Sequence, residues 1–521
     1  MYARFFAGFW LGDDFPNLNR IWLASLDGEL WTQTWSQFFV VAPAEGAFYR
    51  PLMIASLAVN EWLAGTNFAG WFLANYIAHL ANIALVGILV VRFSAACGRD
   101  GRTAGAIAAS FFALSPLLAE GVFWVSARAD AYVTLLTLAG VYGWSTGSTS
   151  IVRAMALPLL LTLALGFKES AAVFPLQIAL VALVWPVRLS RVQISAIVAC
   201  FAVVILFFLL RAHFFGDVWR VYRNHASAQL FEDILGAVGS IAVWWKALTQ
   251  NTPGSAATYL ALSVSACAFT VVRAEETQRR IAAALICASA GLAAATLLNL
   301  GSMPPSGEGG RLTYTPMAWL ALAMGVASAR RIPDAASDDP LLQVPRVGLA
   351  LFLCATIIGA WILHVELRTA RSAQDSVRDI VNASREWAAA HPGLTLLVVE
   401  EHYGPIVTLR NAQGALVMPP VQATALLHHV LPTLPDEFEL RYDQLSAGLA
   451  SRLDRIRPSR LTPEQLSKLF DRDVARWPDH YACWSMHARQ IVEFAGPETS
   501  DRAQWAAILR DRVGQCETVG Y

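Results

Sequence analysis

Charge is the scarcest property of this sequence. Only 15% of the 521 residues are Asp, Glu, Lys or Arg, where soluble chains carry about a quarter, so an ordinary water-soluble enzyme is excluded. The charge present is also balanced, 39 basic residues against 39 acidic, and a chain without basic excess lacks the electrostatic footprint of a nucleic-acid binder. No cleavable signal peptide is expected, because Met1 to Gly12 is too short for an apolar core plus a small-residue cleavage site. What is abundant is apolar surface. Hydrophobic residues make up 56% of the chain and the mean hydropathy is positive, which rules out disorder and indicates a polytopic membrane protein.

Crossing ~30 Å of hydrocarbon takes about 20 apolar residues of helix with every backbone group paired. Uncharged stretches occupy 71–91, 103–119, 131–152, 154–167, 170–187, 192–210, 247–272, 281–307, 312–329 and 347–365. They predict a polytopic α-helical membrane protein with ten spanning helices, or eleven with a short first one. The stretch 154–167 is short, but Arg153 and Lys168 at its ends can snorkel to the two interfaces. The run 234–245 is too short to span and is placed flat on the surface, within an interfacial segment 212–250.

Orientation follows from the arginines. If 71–91 runs inward, the inner connections hold Arg92, Arg99, Arg102, Arg153, Arg188, Arg191, Arg273, Arg279, Arg280, Arg330, Arg331 and Arg346 within short segments. The opposite connections are longer and poorer in Lys and Arg. This parity places an outer loop 13–70 and everything after 365 on the outer face, which in a bacterial inner membrane is the periplasm. The chain must then reach the outer side by Asp13, so either a short first helix emerges obliquely or the natural start lies further upstream.

Composition changes at about 370, dividing a transmembrane domain, 1–370, from a charged, soluble domain, 371–521. In the latter Leu394-Thr-Leu-Leu-Val-Val-Glu400 reads as a buried strand, Pro405-Ile-Val-Thr-Leu-Arg410 as a second, and 373–390, 421–430, 462–475 and 499–514 as helices. The prediction is a small C-terminal α/β domain. Cys200, Cys267, Cys287 and Cys354 fall in membrane helices as small buried hydrophobes. Cys483 and Cys516 are the two cysteines of the outer domain, and an oxidising compartment favours a disulfide between them.

Charged groups at membrane helices are costly, at least ~2.5 kcal/mol near the centre, and become functional candidates for that reason. The outer-face connections collect Asp13 and Asp14; Arg50; Glu120, Arg128 and Asp130 in one tight hairpin; Lys168 and Glu169; and Arg311 with Tyr314. Carboxylates beside separate cations at a lipid interface suit the transfer of a sugar from a lipid phosphate. A carboxylate takes the proton of an incoming hydroxyl, and the cations meet the charge that grows on the departing phosphate. Arginine serves by its bidentate fork and lysine as a point charge.

Seven segments, in order, carry a resemblance. They are Gly12-Asp13-Asp14-Phe15; Phe48-Tyr49-Arg50-Pro51-Leu52; Asn75-Tyr76-Ile77-Ala78-His79-Leu80-Ala81-Asn82; Phe112-Ala113-Leu114-Ser115-Pro116 through Glu120; Trp124-Val125-Ser126-Ala127-Arg128-Ala129-Asp130; Phe167-Lys168-Glu169; and Arg311-Leu312-Thr313-Tyr314-Thr315-Pro316. Together, over about 12–330, they resemble the membrane core of GT-C glycosyltransferases, on the branch of protein O-mannosyltransferases and the membrane domains of tetratricopeptide-containing mannosyltransferases. The chain departs from that pattern at Ser115, where relatives usually have His, and at Gly310, where an acid is common; no tetratricopeptide repeat follows.

The resemblance implies a polyprenyl-phosphate-linked sugar donor, a hydroxyl-bearing acceptor (protein, lipid or glycan) and an inverting single displacement at the outer face. It implies Asp13 or Asp14 as catalytic base with Glu120 as the other catalytic acid residue. Arg50, Arg128, Lys168, Arg311 and Tyr314 would bind the donor phosphate, with Asp130 and Glu169 in support. Other partners are membrane lipid and no nucleic acid; no metal is indicated and the cofactor stays open.

Plain structural readings stand beside these roles. Asp13 and Asp14 can be solvated interfacial charges, Glu120 and Asp130 partners of Arg128, and Lys168-Glu169 a helix-end ion pair. Arg50 can be an anchor beside Pro51, and His79 a packed, hydrogen-bonded core residue. Trp10, Trp22, Trp31, Trp35, Trp62 and Trp71 read as an aromatic belt, and His428-His429 lacks the spaced partners of a zinc site. Two other functions stay open: a transporter or flippase of lipid-linked saccharide, and an inactive relative acting as an assembly factor.

Overall fold

A computed structural model of the protein describes residues 1–10, 14, 21, 24–25, 27–39, 49–65, 67–146, 151–215, 253–300, 310–331, 345–390, 396–399, 480–485 and 490–494. After a 3-10 turn, Tyr2–Ala7, come helices α1 (Leu30–Phe39), α2 (Pro51–Ala64), α3 (Phe68–Ala96), α4 (Arg102–Ala113), α5 (Ala119–Phe123), α6 (Arg128–Ser145), α7 (Ile151–Phe167) and α8 (Phe174–Leu183). They continue as α9 (Arg191–Phe215), α10 (Pro253–Arg273), α11 (Glu276–Leu300), α12 (Tyr314–Ala327) and α13 (Pro345–Ala390). Each of the ten uncharged stretches falls wholly or largely on these helices.

Among the described residues three helices are long and apolar enough to cross a membrane, Phe68–Ala96, Arg191–Phe214 and Val347–Val365, or four if α4 and the bent segment after it form one span. The chain is a polytopic α-helical membrane protein. The bend, 55° between Arg102–Ala113 and Pro116–Phe123, departs from the single helix expected over 103–119. Its cause is local. Proline disfavours the helical conformation of the residue before it, and Ser115 is extended, with φ −69° and ψ 126°.

The longest of the early helices, α3, starts where the Asn67 side chain accepts the Ala69 N–H at 3.1 Å, an N-cap. It stops at Gly98, whose φ of +70° is the left-handed conformation that glycine adopts without strain. Close approach of α3 to α4 is made by two more glycines: a Cβ on Gly105 would stand 2.8 Å from the Gly87 carbonyl oxygen, the small-residue contact by which membrane helices bring backbones together. At the centre lies α12, buried along its whole length except Leu320 and packed against α3, α4, α6, α10 and α11. A helix apolar on all sides belongs in such a core.

At the arginine-rich end the connections are stitched together. Strand β1 (Arg99–Asp100) pairs antiparallel with β2 (Arg330–Arg331), Arg99 forms an ion pair with Glu275, and Gln278 Nε2 donates to the carbonyls of Val326 and Ala329 at 3.0 and 3.1 Å.

The span 347–365 and the helix expected over 373–390 prove to be one rod, α13, of 46 residues, about 69 Å at 1.5 Å per residue. Beyond its apolar part Arg378 Nη2 donates to the carbonyls of Ala7 and Gly8 at 2.5 and 2.6 Å. The N-terminal residues are thereby strapped against α13 and α3, with Phe5 stacked on Phe123 at 5.4 Å.

Downstream, β3 (Leu396–Val399) lies parallel to β4 (His480–Ser485), which pairs antiparallel with β5 (Gln490–Phe494). The first strand falls where the sequence placed it. The other two were not anticipated, although His480-Tyr-Ala-Cys-Trp-Ser485 and Gln490-Ile-Val-Glu-Phe494 hold the aromatic and β-branched residues that strands favour. Cys483 is in β4, opposite Val399 and Val492. Cys516, the interfacial run 234–245, the strand at 405–410 and the helices at 421–430, 462–475 and 499–514 lie outside the described residues.

Candidate active site

Among the described residues, the predicted site residues sit on or beside the connections at the opposite end of the bundle from the arginine-rich loops. Residues 115–130 form the centre, a compact hairpin of two 3-10 turns, Pro116–Leu118 and Val125–Ala127, on either side of α5. With so little regular helix, its carbonyls need outside donors. Helix α3 supplies them from one face, since Asn75, His79 and Asn82 are spaced at i, i+4 and i+7. Asn75 Nδ2 donates to the Trp124 carbonyl at 3.1 Å and Asn82 Nδ2 to that of Ala131 at 2.9 Å. From before α12, Thr313 Oγ1 donates to the Leu117 carbonyl at 3.0 Å.

Between these donors lies Tyr314, fully buried. Its hydroxyl shares a hydrogen bond with His79 Nδ1 at 2.7 Å and accepts one from Asn82 at 3.3 Å. His79 is therefore a packed, hydrogen-bonded core residue, as its plain reading had it. The backbone of Gly121 approaches the Tyr314 ring so closely that a Cβ would stand 2.7 Å from it.

The charged residues form pairs across the chain. Lys168 Nζ donates to both carboxylate oxygens of Asp130 at 2.7 Å, with the two side chains 11% and 7% exposed. Arg50 holds Glu169 by two parallel bonds, Nε to Oε2 at 2.9 Å and Nη2 to Oε1 at 2.7 Å. The adjacent Lys168 and Glu169 thus tie two separate elements, the start of α6 and the start of α2, to the turn after α7. Glu120 is buried within α5.

Arg128, expected among the phosphate-binding groups, is fully buried and its donors point at protein. They reach the carbonyls of Val125, Ser56 and Trp71 at 3.2, 3.3 and 3.4 Å and the side chain of Asn60, while the guanidinium lies 5.9 Å from the Trp71 ring centroid. A phosphate would have to displace those carbonyls, so its position is that of a staple between α2, α3 and the hairpin. Asp130, its expected partner, is bound to Lys168 instead.

Asp14 is buried, 1% exposed, and its Oδ1 accepts the Ser126 N–H at 2.6 Å, so the segment before α1 is fastened to the hairpin at that residue. Asp13 and the side chain of Arg311 lie outside the described residues, while the backbone of Arg311 is in the turn Gly310–Thr313 next to α5. The sequence reading gave no role to Asn60, Asn75 or Asn82. The signal for the latter two was available, as polar residues at helical spacing within an apolar helix need a buried partner. Among the described residues no three His, Cys, Asp or Glu side chains are grouped as metal ligands.

No protein-family model matches the sequence, and no curated protein does. Two solved structures show a distant likeness. The crystal structure of ArnT from Cupriavidus metallidurans bound to undecaprenyl phosphate is 13% identical, with 83% of this chain and 86% of that one covered and a TM-score of 0.40. The single-particle cryo-EM structure of the arabinofuranosyltransferase AftD from Mycobacteria is 15% identical, with 83% of this chain and 30% of that one covered and a TM-score of 0.41.

Proposed function

We propose that the chain is an inverting glycosyltransferase of the GT-C type, which moves a sugar from a polyprenyl-phosphate-linked donor to a hydroxyl acceptor at the outer face of a bacterial inner membrane. The observation that carries this reading is the meeting, at one hairpin, of groups far apart in sequence. Asp14 binds Ser126, Lys168 binds Asp130, Arg50 binds the neighbour of Lys168, and Thr313 binds Leu117. A base and a phosphate clamp must act on one reacting centre, and this gathering is what that demands.

In the proposed step a carboxylate removes the acceptor hydroxyl proton as its oxygen attacks the anomeric carbon. The bond from that carbon to the phosphate oxygen breaks, and its electron pair leaves with the polyprenyl phosphate. We assign the base to Asp13. Side chains of neighbouring residues diverge, and Asp14 Oδ1 is already engaged by the Ser126 N–H at 2.6 Å, which turns that carboxylate to the hairpin backbone instead of to an acceptor. Asp14 then anchors the loop and sets Asp13 beside it. Lys168, Arg50 and Arg311 meet the phosphate, with Asp130 and Glu169 fixing the first two in position. Arg128 holds the hairpin, and Glu120 stands second in line as base.

The test is turnover by the purified chain in liposomes, with polyprenyl-phosphate-linked hexose and pentose donors offered in parallel and release of polyprenyl phosphate measured. Release from one donor class, accelerated by a hydroxyl acceptor, is expected; folded protein that releases it from none would overturn the reading. The outer placement of 371–521 is tested separately. A reporter active only in the cytoplasm, fused after residue 521, is expected to stay silent, and an active fusion reverses the orientation.

A further inference from the structure

The arginine-rich end of the bundle carries a groove that the proposed transfer does not use. It encloses about 540 Å³ between the end of α3, the end of α6 and the segment that follows α8. Its walls are apolar, with Ile88, Val91 and Val187 exposed by 47, 36 and 56%, and aromatic, with Tyr142 and Trp185. Arg92 is the single charged residue of the lining.

Both Arg92 and the aromatic wall are fixed in place. Arg92 Nε donates to Ser145 Oγ and Nη2 to the Ser145 carbonyl, each at 2.9 Å, and its guanidinium lies 5.8 Å from the Tyr142 ring centroid. Trp185 is held edge-on by Phe93 at 5.0 Å and by Trp144 at 5.3 Å. A ligand here would bind without the cost of ordering these side chains. The exposed Arg188 and Arg191 follow Val187 within a few residues, so the surroundings are positive as well.

An oriented cation at the rim of an apolar groove matches an amphiphile with an anionic head. A soluble anion would leave the apolar walls bare, and a neutral lipid would leave the guanidinium unmatched. Basic pockets between membrane helices at the positive face are where anionic headgroups bind. We propose that this groove binds an anionic membrane phospholipid, its phosphate on Arg92 and the first part of an acyl chain along Ile88, Val91 and Val187. The lipid would brace the ends of α3 and α6 against the segment after α8, far from the transfer site.

The test is native mass spectrometry of the delipidated full chain in detergent, titrated with phosphatidylglycerol or with phosphatidylcholine. The wild type is expected to retain phosphatidylglycerol in preference. Arg92→Gln should bind it about tenfold more weakly, since a charge-assisted hydrogen bond is lost. Ile88→Trp, which fills the groove from a surface position and leaves the arginine in place, should do the same, and carries the test alone if Arg92→Gln does not fold. Arg279→Gln, an exposed arginine at the same end, should bind as the wild type does. Equal retention of the two lipids, or wild-type binding by Ile88→Trp, overturns the proposal. So does competition by soluble glycerol phosphate as effective as that of the lipid, which would mean that the apolar walls take no part.

Discussion

Asp13→Asn is expected to lower sugar transfer about 10²- to 10⁴-fold, the contribution of a general base, with donor affinity nearly unchanged. The split between turnover and binding carries the diagnosis. A residue that acts only on the acceptor proton lowers kcat and kcat/KM together, whereas in the proposed site the phosphate would be held by cations on other elements. Asp14→Asn is a different experiment on the next residue. Asparagine keeps a side-chain oxygen to accept the Ser126 N–H, which Asp14 accepts at 2.6 Å, so the loop should stay fastened and most activity survive. Asp14→Ala removes the acceptor and should lose activity through a misplaced loop. Full activity in Asp13→Asn would move the base to Glu120, buried in the same hairpin.

The largest loss of stability is expected from splitting the pair of Lys168 and Asp130. Both oxygens of the carboxylate are engaged at 2.7 Å and both side chains are nearly shielded from solvent. Removing one partner strands the other charge away from water, at a cost of about 3–5 kcal/mol. Asp130→Leu or Lys168→Met alone should therefore melt at much lower temperature in detergent. The double variant should recover much of that loss, because an apolar pair of similar volume is often as stable as the ion pair it replaces. Transfer activity should not return with it. Recovered activity in the double variant would show that Lys168 serves only the fold. Single variants within about 1 kcal/mol of the wild type would show that the pair is exposed to water in the membrane-bound protein.

The helices were legible because a lack of charge is a property of composition, and among the described residues each uncharged stretch falls wholly or largely on helix. The break at Ser115 was also readable in the proline after it, yet hydropathy averages over a single bend. Pair assignments were harder. Arg128 and Asp130 lie two apart and suggested each other, but on a helix residues two apart do not face one another. Asp130 turned to Lys168, and Arg128 to carbonyls of two other helices. Such partners depend on which helices become neighbours, a long-range outcome that local spacing does not encode. The strap from Arg378 to Ala7 and Gly8 was invisible for the same reason, because its acceptors are backbone atoms that every residue shares. Strands β4 and β5 were readable from their aromatic and β-branched content, but neither carries an unbroken aliphatic run such as Leu396-Leu-Val-Val399 of β3.

The way the hairpin 115–130 is held bears on which sequence changes the protein can absorb during evolution. Four of the anchors in it are backbone atoms, the carbonyl oxygens of Leu117, Trp124 and Val125 and the amide N–H of Ser126. Any amino acid offers the same carbonyl, and all but proline the same N–H. The residues that grip them, Asn75, Thr313, Arg128 and Asp14, have no such freedom, because their bonds run through side chains. Substitution should therefore be tolerated at the gripped positions wherever volume allows and resisted at the gripping ones. An alignment would then drift at Leu117, Trp124, Val125 and Ser126, while Asp14, Asn75, Arg128 and Thr313 would stay fixed, and the architecture would outlast recognisable identity.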